Sequence, residues 1–87
     1  MKLKDGFVLR NVAGQIVVLP SGDDFDLNMV ITLNETGKFI WQLLEDDISQ
    51  EEIVSAILKE FDVDTDQAQA AVSDFIRKLN NYGFLEN

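Results

Sequence analysis

Neither cysteine nor histidine occurs among the 87 residues. The first absence excludes disulfide staples, thiolate metal sites and cysteine nucleophiles, and it fits a reducing compartment. The second removes the side chain that most often serves as general base, proton shuttle or transition-metal ligand. An enzyme built on this chain would have to work with carboxylates, lysine or serine alone, which argues against catalysis. Positive charge is scarce too: 7 basic side chains against 16 acidic ones leave a formal charge of −9. That balance repels phosphate backbones, because nucleic-acid binding rests largely on Lys and Arg displacing counterions. Long apolar runs are also missing. "MKLKDG" supplies two lysines, but the following "FVLRNVAGQ" is broken by Arg10 and Asn11, so no signal-peptide core forms. Nothing approaches the roughly 20 apolar residues of a membrane span. The expectation is a cytoplasmic protein that contacts neither membrane nor nucleic acid.

What is present is enough for one small fold. With 46% hydrophobic and 26% charged residues and a mean hydropathy of −0.02, the chain falls with globular rather than disordered sequences. A chain of this length forms a single domain, residues 1–87, that buries about two-thirds of its unfolded surface around one modest core. Its amino-terminal part reads as strands. Two β-rich runs, Phe7 to Val12 and Gln15 to Leu19, flank "AG", where Gly14 adopts positive φ at little steric cost, the signature of a hairpin. Pro20, the only proline, closes the second run, and "SGDDFDLN" follows as a polar connector without an assignable motif. "MVITL" makes a third strand, with Met29, Ile31 and Leu33 on one face and Val30 and Thr32 on the other.

At Asn34 the period changes from two to that of a helix. Asn34 is placed to cap a first helix whose apolar stripe is Phe39, Ile40, Leu43 and Leu44, with Trp41 near its border. Gly37 costs that helix up to about 1 kcal/mol relative to alanine, which points to close packing against a neighbour. Ser49 and Glu52 have capping-box spacing ahead of a second helix, whose inward face reads Ile53, Val54, Ile57, Leu58 and Phe61. Asp64 and Gln67 repeat that spacing ahead of a third, with the stripe Ala68, Val72, Phe75, Ile76 and Leu79; Gly83 then acts as the stop signal. The hairpin and third strand span about 6–33 and the helices about 35–45, 50–60 and 65–81. The order β-β-β-α-α-α describes a small α+β domain.

Several stretches imitate chemistry. "DVDTDQ" places Asp62, Asp64 and Asp66 as an EF-hand loop opens, but the sixth position is Gln67 instead of glycine and the twelfth is Ser73 instead of glutamate. Helix capping accounts for these aspartates. Acidic acyl-carrier proteins are similar in composition, yet none of Ser21, Ser49, Ser55 and Ser73 sits in an Asp-Ser-Leu setting. The adjacent carboxylates Asp46–Asp47 and Glu51–Glu52 point apart and define no acid–base pair. Trp41 reads as core or core edge. One alternative survives: two short helices joined by "FDVD" and preceded by strands resemble a winged helix-turn-helix, a DNA-binding transcriptional regulator that would depend on Arg77 and Lys78.

"LNETG" leading to "IWQLL", then "EEIVSAILKEFDVD", "DFIRKL" and "YGFL", resembles the PqqD-like family, the stand-alone form of the recognition element of ribosomal-peptide modification pathways. "GFVLRNVAGQIVVLP" is similar to the family's amino-terminal hairpin, so the resemblance extends over nearly residues 6–86. It implies a three-stranded antiparallel sheet followed by a three-helix, winged-helix-like bundle, with no catalytic activity and no cofactor. It also implies that the leader peptide of a precursor adds as a further strand beside the third strand, in the cleft against the third helix. The leader is then presented to a modifying enzyme, often a radical SAM protein; pyrroloquinoline quinone, lasso peptides and other modified peptides use similar modules. Met29, Val30, Ile31, Thr32 and Leu33 would provide the strand edge, a row of unpaired N–H and C=O groups that an extended peptide can complete. On the third helix, Ala71, Phe75 and Leu79 would meet apolar side chains, with Asp74, Arg77 and Lys78 at the rim. The acidity of the domain favours a leader or partner enzyme with basic patches. A strand edge is equally open to a second copy of the chain, so a homodimer is an alternative occupant.

Overall fold

The computed structural model describes residues 1–20 and 31–86. Strand β1 (Lys2–Leu3) is followed by β2 (Phe7–Val12), β3 (Gln15–Pro20) and β4 (Ile31–Leu33), then by helices α1 (Glu35–Leu43), α2 (Gln50–Glu60) and α3 (Thr65–Tyr82), and finally by β5 (Leu85–Glu86). The β2–β3 hairpin pairs Val12 with Gln15 across a two-residue turn in which Ala13 and Gly14 have φ of 53° and 81°. Positive φ at both positions is the type I′ arrangement, whose twist matches that of the strands it joins. β4 adds antiparallel to β3, giving the sheet order β2-β3-β4. This is the α+β fold expected from the sequence, with a three-stranded antiparallel sheet ahead of three helices.

Each helix starts where its capping residue stands. The side chain of Asn34 accepts from the Gly37 N–H at 2.7 Å. Ser49 accepts from the Glu52 N–H at 3.1 Å while Glu52 accepts from the Ser49 N–H at 3.2 Å, and Asp64 and Gln67 exchange the same two bonds at 2.7 and 3.1 Å. These caps contribute about 1 kcal/mol each. Asp64 is thus occupied as a helix cap, and among the described residues no group of carboxylates gathers in a way that could hold a metal ion.

Three details differ from the sequence reading. α1 ends at Leu43, because the N–H of Leu44 is shared between the carbonyls of Ile40 and Trp41 and the chain turns there. Two short strands appear that the sequence analysis lacks: β1 pairs antiparallel with β5, Leu3 opposite Leu85, and ties both ends of the described chain together. Leu58, which helical spacing assigns to the inward face of α2, is 37% exposed, whereas Ile53 and Ile57 are sealed. The apolar stripe of α2 is wider than the core it covers.

One cluster of buried side chains joins sheet and helices, drawing Val18, Ile31 and Leu33 from the strands, Ile40, Trp41 and Leu44 from the α1 segment, and Val72 and Leu79 from α3. Phe84 sits at 0% exposure within it. Its ring meets Phe7 edge-on at 4.5 Å and Trp41 edge-on at 5.6 Å. Among the described residues no helix is long and apolar enough to cross a membrane.

Candidate functional site

β4 is an edge strand. It pairs with β3 through Ile16–Leu33, Val17–Thr32 and Val18–Ile31, and among the described residues no strand lies on its other side. Ile31 and Leu33 anchor it in the core at 5% and 6% exposure while Thr32 faces out, so packing fixes the edge in position. Backbone groups on the unpaired side of such a strand can bond an incoming extended chain. Met29 and Val30, assigned to the same strand by the sequence, lie outside the described residues.

The strand hands directly into the cap of α1, and this junction shapes the space beside it. A Cβ on Gly37 would stand 3.2 Å from Cε1 of Phe75, 3.2 Å from the capping oxygen of Asn34 and 3.5 Å from Cβ of Leu33. The missing side chain therefore lets half-buried Phe75 of α3 lie against the first turn of α1. Between the two helices opens a groove of about 330 Å³, with Gly37, Ile40, Ala71 and Phe75 as apolar lining and Asn34, Thr36, Asp74 and Lys78 as polar lining. The groove thus begins where β4 ends.

Of the residues singled out on the third helix, Ala71, Asp74, Phe75 and Lys78 come together in this groove. Arg77 and Leu79 do not line it. Arg77 donates to Asp74 at 3.0 Å in an exposed pair, one turn along the helix surface. Leu79 is buried at 0% exposure and supports α3 from behind. The sequence reading named no residue of α1, although Asn34, Thr36, Gly37 and Ile40 form one wall. Gly37, a glycine inside an otherwise regular helix, was the signal available for that wall.

The model of the family described as coenzyme PQQ synthesis protein D (PqqD) matches residues 11–85. The chain belongs to the PqqD family. Among solved structures, TbiB1 in complex with the TbiA(beta) leader peptide is similar at a TM-score of 0.77 and 33% identity, over 100% of this chain and 96% of that one. Lasso peptide synthetase B1 complexed with the leader peptide is similar at a TM-score of 0.75 and 19% identity, over 99% and 96%; at that identity the likeness speaks for the fold. No curated protein matches the chain.

Charge is distributed unevenly over this PqqD-family fold. Residues 45–66 hold nine of the 16 acidic side chains, Glu45, Asp46, Asp47, Glu51, Glu52, Glu60, Asp62, Asp64 and Asp66, against Lys59 as the one basic residue. All nine are exposed. The groove beside β4 is close to neutral by comparison, with Asp74 and Lys78 as its ionisable groups. Within the acidic segment Asp47 accepts from the Met1 ammonium at 2.9 Å. That hydrogen bond, with the charge of the same ammonium behind it, holds the Asp47 carboxyl below its ordinary value.

Proposed function

We propose that the protein is a non-catalytic recognition module that captures the leader segment of a ribosomally synthesised precursor and presents it to a modifying enzyme. The leader adds as a strand along the outer edge of β4 and lays alternate side chains into the groove against α3. The observation that carries this reading is the junction of a core-anchored strand edge, unpaired among the described residues, with an apolar-lined groove. Backbone bonding supplies affinity and the groove supplies selection. The likeness to TbiB1, a protein solved with a leader peptide bound, supports the same reading. A binding role also suits a chain without histidine or cysteine. Such a module works in the cytoplasm, where precursor and enzyme meet. Ile31, Thr32, Leu33, Ala71, Asp74, Phe75 and Lys78 are the proposed contacts, together with the α1 wall; Met29 and Val30, outside the described residues, are proposed from the sequence alone.

The test is a titration of the isotope-labelled protein with a synthetic cognate leader, followed through amide NMR signals. Signals of Ile31 to Leu33 and of Ala71 to Lys78 are expected to move together, with micromolar or tighter affinity. Shifts confined to the hairpin between Phe7 and Leu19 would place the guest elsewhere and sink the proposal.

A further inference from the structure

α3 has a second groove on its other flank. Thr65, Gln69 and Ser73 recur every fourth residue on one side of the helix, Ala71, Phe75 and Lys78 line the groove beside β4, and the buried stripe through Val72 and Ile76 runs between the two sets. The second groove lies against α2 and has a volume of about 610 Å³. Val54 and Leu58 provide its apolar lining, with Ser55 beside them. Leu58 is 37% exposed although it continues the apolar stripe of α2, and Val63 in the following loop is exposed to the same extent. At one end Gln50 donates to the Ser73 hydroxyl at 2.9 Å, next to Glu51. The short connection from α2 to α3, beyond Leu58 and Thr65, carries Asp62 and Asp64, and the first turn of α3 carries Asp66.

An apolar strip left open within the most acidic segment of the chain has a defined complement. We propose that the α2–α3 groove is the docking face for the maturation enzyme, and that it takes a ridge of that enzyme on which an apolar side chain is flanked by lysine or arginine. This rests on the leader-recognition reading, and it lets one helix serve two guests without collision, the leader on one flank and the enzyme on the other. A second copy of the chain is a poor occupant, because it would bring two acidic faces together. Charge of this kind steers encounter and is screened by salt, whereas the apolar contact sets the lifetime of the complex.

The experiment uses the full chain, the purified maturation enzyme encoded beside the precursor, and two variants, Leu58→Asp and Ser55→Lys, at positions exposed enough for the fold to tolerate the change. Both variants are expected to bind the enzyme about tenfold or more weakly, as removal of a central contact does, while leader affinity stays within about twofold, inside the scatter of ordinary surface substitutions. Enzyme affinity of the unsubstituted protein should fall several-fold between about 50 and about 300 mM NaCl. Intact leader binding with enzyme affinity unmoved by either variant brings down the docking face alone. Failure of the unsubstituted protein to bind leader brings down the recognition reading and this proposal with it. Self-association that disappears in Leu58→Asp would assign the groove to a second copy and overturn the proposal.

Discussion

Ala13 is the only non-glycine residue with positive φ among the described residues, and it occupies the first central position of a turn that favours asparagine or glycine there. An alanine in the left-handed region costs about 1–2 kcal/mol. Replacing Ala13 with Asn is therefore expected to raise stability by about 0.5–1 kcal/mol, since the local side-chain amide relieves part of that cost. Urea denaturation should show a higher midpoint with an unchanged slope. Asp47 gives a pH-dependent counterpart. Its carboxyl lies below its ordinary value in the folded protein because it accepts from the Met1 ammonium. A group depressed on folding contributes stability above its unfolded pKa, about 3.9, and loses that contribution as pH falls through the lower folded value. Asp47→Asn should therefore reduce stability at neutral pH and flatten the loss of stability on acidification below about pH 4. Its partner is the chain's amino group and the site is exposed, so the difference should shrink in high salt. Thermal melts of both proteins along a pH series would check this.

At the scale of elements, the helices were legible because their boundaries are written in adjacent residues: Asn34, the Ser49–Glu52 and Asp64–Gln67 boxes, and Gly83 all act where spacing places them. The β1–β5 clasp was not, because two-residue strands carry no period and their pairing joins positions far apart in sequence. The site divides in the same way. The α3 residues Ala71, Asp74, Phe75 and Lys78 were named because the family resemblance makes the third helix a wall of the cleft, while the α1 wall depends on how closely two helices approach at Gly37, a property of tertiary packing. Leu79 continues the buried sequence Val72 and Ile76, so the same spacing that gathers its neighbours in the groove turns it to the core. The stop of α3 has measurable consequences. The N–H of Gly83 bonds the Asn80 carbonyl at 3.1 Å and that of Phe84 the Leu79 carbonyl at 3.0 Å, with Gly83 at φ 77°, a Schellman arrangement. A Cβ at Gly83 would meet nothing within 4 Å, so its cost is conformational alone. Gly83→Ala is expected to destabilise by about 1 kcal/mol, read as a lowered urea midpoint without change in leader affinity.

At the scale of the molecule, Phe84 is where the parts meet. Its ring contacts Phe7 of β2, Trp41 of α1 and, at 5.8 Å in a stacked arrangement, Tyr82 at the end of α3. Its carbonyl accepts from the Lys4 N–H at 2.8 Å, which holds the amino-terminal segment beside β5. Sheet and helices therefore share one side chain at 0% exposure, whose backbone also holds the clasp, and a cavity there cannot be confined to one element. Truncating a buried phenylalanine to alanine costs about 3–5 kcal/mol, against a total of about 5–15 kcal/mol for a domain. Phe84→Ala should therefore leave the protein close to its folding threshold, while Phe84→Leu, which keeps much of the volume, loses about 1–1.5 kcal/mol. Trp41 is the only tryptophan and lies against this ring, so its fluorescence reports the junction while far-ultraviolet circular dichroism reports the helices. If the core is one cooperative unit, the two signals will move to lower urea together in both variants. A fluorescence transition that separates from the dichroism in Phe84→Ala would show instead that the α2–α3 pair folds without the sheet. The groove beside β4 would then depend on docking two independent units, and leader affinity would collapse before the helices melt.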